Sequence, residues 1–227
     1  SDVNCTAELS GFTIQNGLDD IAGGIYVFNS HPTLTNMIIR NNTSTNTGGG
    51  ITLINSNSIL SHSIIADNTT GYLGSGIYLY SGNPTLHHLL ITGNHSQFGG
   101  AIYTQSTSSI IMNVTISANE GSSQGAGAGG IIGTTSDITL ANSIIWDNIP
   151  HEIDWTAGSF NMIHSNVELA YGQGQAEEGN IDADPLFTDP LNGDYTLQEG
   201  SPCINSGTAN VDGVDEITDY YSLAPDM

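Results

Sequence analysis

An internal repeat of about 26 residues constrains this chain more than any other feature. One unit reads Gly-Ile-Tyr, a short spacer, Pro-Thr-Leu, a triplet rich in Leu and Ile, an Asn, and a variable loop back to Gly-Gly. The Leu position recurs at Leu9, Leu34, Leu60, Leu86, Ile111 and Leu140. Five residues on stands Ile14, Ile39, Ile65, Ile91, Ile116 or Ile145, and eight residues on Asn42, Asn68, Asn94, Asn119 or Asn148, with Gly17 in the first unit. The Gly-Ile position falls at Ile25, Ile51, Ile77, Ile102 and Ile131. Length variation sits in the stretch after the Asn, which marks that stretch as a surface loop.

Such a unit is too short for a strand and a helix, and it holds no run of helical period. It offers three short strands of period 2 separated by Gly, Asn, Ser and Pro. Three strands and three turns make one coil of a parallel β-helix, each strand bonding its equivalent in the next coil about 4.8 Å away. The expected fold is therefore all-β, a single-stranded parallel β-helix of about six coils over 1–155, with an acidic segment, 156–227, continuing from it and capping it. The chirality rule for parallel crossovers makes the helix right-handed. Six coils give a core roughly 25–30 Å long. The Asn column is expected to face inward, because a stacked carboxamide donates and accepts from coil to coil. Asn42, Asn68 and Asn94 also begin Asn-x-Ser/Thr sequons, and an inward ladder removes them from any glycosylating enzyme.

Charge narrows the partners. Arg40 is the only Lys or Arg against 23 carboxylates, for a net charge of −22, and fifteen of those carboxylates follow residue 150. That balance excludes nucleic acid, anionic membrane surfaces and polyanionic substrates as partners. No apolar run is long enough to insert in a membrane. Cys5 and Cys203 lie at opposite ends of a linear stack, too far apart to bridge.

Three surfaces stand out. The residue after the Gly-Ile position gives Tyr26, Thr52, Tyr78, Tyr103 and Ile132; Tyr26, Tyr78 and Tyr103 on one outward face suit sugar stacking, or simply an exposed strand. A second outward column, Thr13, Ile38, Ile64, Leu90, Thr115 and Ile144, is apolar enough for contact with another subunit through Ile38, Ile64, Leu90 and Ile144, or for cover by the C-terminal segment. His62 and His88 share a column with Asn36, Asn113 and Asn142. With no Cys or third His beside them, they read as members of an amide-like ladder rather than a metal pair. Calcium is a possible cofactor, with Asp182, Asp184, Asp189 and Asp194, or Asp212, Asp215, Glu216 and Asp219, as candidate oxygen ligands, although neither set has EF-hand spacing.

The motifs Gly48-Gly49-Gly50-Ile51 and Gly99-Gly100-Ala101-Ile102 resemble the pectate-lyase-like superfamily and bacterial surface proteins with Gly-Gly-x-Ile repeats. Lyases of the first group combine bound calcium with a basic residue that removes a proton; here only Arg40 is basic. A hydrolase needs converging carboxylates, yet Asp67 and Asp147 share a column with Gly93 and Ala118 between them, roughly 14 Å apart at the strand spacing. Residues 163–227, through Gly179-Asn-Ile-Asp-Ala-Asp-Pro-Leu-Phe187, Asp194-Tyr-Thr-Leu197 and Gly200-Ser-Pro-Cys-Ile-Asn-Ser-Gly207, resemble the choice-of-anchor module of secreted bacterial β-helix proteins. Leu9-Ser-Gly-Phe-Thr-Ile-Gln-Asn-Gly17 is similar to the opening motif of the same proteins, and the chain stops at Pro225-Asp226-Met227, where that module usually continues. The resemblance implies a fragment of a larger secreted or surface-displayed protein: a scaffold or adhesin-like module that contacts glycan, with a carbohydrate-active enzyme and a structural subunit of an extracellular assembly as the alternatives.

Overall fold

The computed structural model describes residues 7–121, 127–168 and 179–211. Three parallel stacks of strands wind around one core. The Leu column pairs in register from Leu9 through Leu34, Leu60, Leu86, Ile111 and Leu140 to Met162. The following Ile column runs from Ile14 through Ile39, Ile65, Ile91, Ile116 and Ile145 to Val167. The Gly-Ile column closes the coil from Ile25 through Ile51, Ile77, Ile102 and Ile131 to Ile153. Ile39, Ile65, Ile91, Ile116 and Ile145 are all fully buried, each stabilising the fold by about 1.5–3 kcal/mol relative to exposure. The described residues include no helix long and apolar enough to cross a membrane.

Corners come from left-handed backbone, in columns as regular as the strands. One holds Asn36, His62, His88, Asn113, Asn142 and His164, with φ between 44° and 53°. A second holds Asn16, Asn41, Asp67, Ala118 and Asp147, with Gly93 among them, and a third Asn29, Asn55, Ser81, Ser106 and Thr135. Short polar side chains and Gly tolerate this region best, which explains the composition of the turns.

Two expectations are corrected here. The coils do not end at residue 155: Phe160–Ile163 and Asn166–Val167 continue two of the stacks. Met162 and Val167 replace the usual Leu and Ile, so the pattern fades before the fold does. Nor do the described residues of the acidic segment simply cap the end of the coils. Residues 180–183 hydrogen-bond along the last coil, with Asn166 Nδ2 donating to the Ala183 carbonyl. The chain then turns back along the flank. Phe187 and Leu197 pack beside Ile144 and Cys203, the Tyr195 hydroxyl lies 2.6 Å from Thr92 Oγ1, and Asn142 exchanges two hydrogen bonds with the backbone of Thr208.

Candidate functional site

The Asn column forms the inward ladder. Asn42 Nδ2 donates to Asn68 Oδ1, Asn68 to Asn94, Asn94 to Asn119 and Asn119 to Asn148, at 2.8–3.0 Å. Each Oδ1 also accepts the backbone N–H of the preceding Asn, and each Nδ2 donates to an Ile carbonyl one coil back. These residues are 0–5% exposed, so Asn42, Asn68 and Asn94 are closed to modification. All the amide dipoles point one way, and the donor end falls on Glu152, whose carboxylate accepts from Asn148 N and Asn148 Nδ2. Glu152 stands in the column occupied elsewhere by Gly24, Gly50, Gly76, Ala101 and Gly130. A Cβ on Gly50 would meet the next coil's carbonyl at 2.7 Å, which keeps that column small; at Glu152, its last described member, a carboxylate fills the slot. Burial pushes the Glu152 carboxyl up to about 7, aided by nearby Glu168 and Asp147, against the opposing effect of the Asn148 hydrogen bonds.

The tyrosines share a column as the spacing expects, but they are no open platform. Tyr26 is half exposed, Tyr103 is buried, and Tyr78 lies between, stacked on Tyr103 at 5.5 Å. The loops after the Asn positions fold over them. Thr52 Oγ1 donates to the Ile21 carbonyl, and Ala128 and Leu73 pack on Tyr103 and Tyr78. Burial, then Tyr103 and Tyr80, raise the Tyr78 phenol above its ordinary range.

The apolar column divides. Ile144 is covered by the returning segment, so it offers no self-association surface, whereas Ile38 and Ile64 are 38% and 39% exposed and Leu90 is half-buried. The first calcium set does not converge. Asp184 accepts from Leu186 N–H, Asp189 from Asn192, and Asp194 from Thr196 N–H and Oγ1; the carboxylates are spent in local turns, and Asp182 is exposed. Those Thr196 bonds lower the Asp194 carboxyl below its usual range. Asp212, Asp215, Glu216 and Asp219 lie outside the described residues, as does Cys5. Cys203 is buried and accepts from Asn166 Nδ2 at 3.1 Å. His62 and His88 do stack, and a third imidazole accompanies them after all: His87, from the neighbouring column. The His87-His88 pair at a corner was the legible signal.

The fold-back creates a cleft that the repeat did not foretell. It measures about 260 Å³, and Trp146, Asp147, Asp184, Phe187 and Gln198 line it. Trp146 continues the outward column Arg40, Ala66, Thr92, Ser117, and Gln198 Nε2 is held on the Phe187 carbonyl at 2.8 Å. An aromatic wall beside two acceptor carboxylates and a carboxamide can stack an apolar face while hydrogen-bonding hydroxyls.

The family model described as the right handed beta helix region matches residues 2–174. No curated protein and no solved structure matches the chain. The match spans the coils whose register is described above, and the chain belongs to the right-handed β-helix family.

Proposed function

We propose that this chain is a binding rod of a secreted or surface-displayed protein, adhesin-like rather than catalytic, and that it takes a neutral glycan in the cleft between the last coils and the returning segment. The Trp146–Phe187 wall with Asp147, Asp184 and Gln198 around it carries the reading. Aromatic faces pack against pyranose rings, and carboxylates accept from sugar hydroxyls. The net charge of −22 selects uncharged sugars over uronates. The rod supplies a rigid flank, because the ladder and the core fix every coil to its neighbours.

A glycan array followed by quenching of Trp146 emission with the best soluble oligosaccharides tests this. Saturable binding that Trp146→Ala abolishes is expected; absence of binding to any neutral glycan, or unchanged binding by the variant, refutes it. The presence of Asp147 and Asp184 in one cleft favours a second reading, a glycoside hydrolase using that carboxylate pair. Release of reducing ends that is lost in both Asp147→Asn and Asp184→Asn would establish the enzyme instead.

A further inference from the structure

The cluster His62, His87 and His88 is unused by the core, the ladder or the cleft. We infer that these three imidazoles form a binding site for a divalent transition-metal ion of the zinc and copper class. His62 and His88 occupy the same left-handed corner one coil apart, with φ of 49° and 53°. The coil spacing therefore stacks their rings at 4.7 Å and 6°. Leu86 and Leu89 both point into the core, so the corner between them turns His87 and His88 outward together. The His87 ring stands edge-on to both others, at 5.6 Å from His62 and 5.2 Å from His88.

One ring nitrogen from each of the three lies within 4.8 Å of the other two, and His87 Nδ1 is 2.9 Å from His88 Nδ1. Metal–nitrogen bonds of about 2.0–2.1 Å put two ligand nitrogens about 3.3 Å apart in a tetrahedral site and about 2.9 Å apart at a right angle. The His87–His88 pair already has that span, and the exposed His62 ring needs only a small rotation to close on it. Neutral imidazole is the ligand form for such ions, and three of them leave a position open for water or a further ligand.

Asn113, the next residue in the corner column, supports His88 from behind. Its carboxamide sits 3.0 Å from His88 Nε2, and its buried Oδ1 has no hydrogen-bond partner among the described residues. A carboxamide turned to present Oδ1 accepts Nε2–H, which leaves the His88 Nδ1 lone pair directed at His87 and the ion. His87 replaces the Ser61 and Met112 that its column holds in the adjacent coils. The acidic surface around the rod raises the local cation concentration.

The repeat supplies the substitutions that test the site without disturbing the coils. His62→Asn and His88→Asn install the residue that Asn36, Asn113 and Asn142 carry in the same corner, and His87→Ser installs that of Ser61. Binding of Zn²⁺ to the full chain is measured by competition with a chromophoric chelator at pH 7.5, with excess Ca²⁺ to occupy carboxylates. One Zn²⁺ per chain is expected, weakened about 100-fold or more in the triple variant. His87→Ser alone, on an outward strand position, is expected to weaken binding at least about tenfold while leaving the circular dichroism spectrum unchanged. Zn²⁺ taken up equally by wild type and the His87→Ser variant, or no Zn²⁺ binding by the wild type under these conditions, would overturn the assignment.

Discussion

Replacing Glu152 by Gln makes the chain more stable at pH 8 and leaves it nearly unchanged at pH 4. The magnitude follows from the raised carboxyl. Its ordinary value of 4.5 becomes about 7 in the fold because burial disfavours the charged form. Between those two values the folded chain binds the proton more tightly than the unfolded chain, so stability falls as pH rises from about 4.5 to about 7 and is flat beyond. The loss attributable to this one group is about 1 kcal/mol at pH 5 and about 3 kcal/mol at pH 8. Gln removes the titration yet keeps the acceptor. Its single Oε1 can take both Asn148 N and Asn148 Nδ2, as one Oδ1 takes both donors at every other rung. Glu152→Ala instead leaves two buried donors unpaired and is expected to destabilise by about 2–4 kcal/mol at pH 4, a loss that the removed titration largely offsets at pH 8. Urea unfolding of the three proteins from pH 4 to 8, followed by circular dichroism, separates these outcomes, since carboxylates remote from residue 152 contribute equally to each and cancel in the differences. Parallel stability profiles for wild type and Glu152→Gln would refute the reasoning.

Two other substitutions probe the same architecture. Asn94→Ala removes the acceptor for Asn68 and the donor to Ile65, Thr92 and Asn119, and denaturant titration is expected to show a loss of about 3–5 kcal/mol. Tyr195→Phe deletes the 2.6 Å bond to Thr92, costing about 1 kcal/mol; limited proteolysis is expected to cut the returning segment, residues 184–211, faster while sparing the coils.

What the sequence made legible was what repeats and faces inward. Ile39, Ile65 and Ile91 are read at once because every coil must put the same kind of side chain at the same point of one core, and Asn68 and Asn94 because an interior amide needs its neighbour. Outward positions obey no such rule. Alternation says that Tyr103 leaves the core, but not that Ala128 closes over it. It says that Ile144 points away from the axis, but not that residues 187–203 return to cover it. Those covers are made by segments outside the repeat, whose path depends on tertiary contacts such as Thr92 with Tyr195, 103 residues apart. Asp184, Asp189 and Asp194 follow a related rule: each carboxylate accepts a hydrogen bond within its own turn.

The repeat is most informative about chemistry where it is broken. A column of Gly and Ala holds Glu152 as its last described member, and the exception places an ionisable group at the donor end of a continuous run of amides. A column of Ser and Met holds His87, and the exception completes a trio of imidazoles. The outward column of Arg40, Ala66, Thr92 and Ser117 carries Trp146, and there the exception walls a cleft. In each case the regular coils are what make the departure meaningful: the neighbours above and below show which side chain the architecture asks for at that point, so the difference is the part left to function. That comparison also supplies the variants, because the residue one coil away is already known to fit.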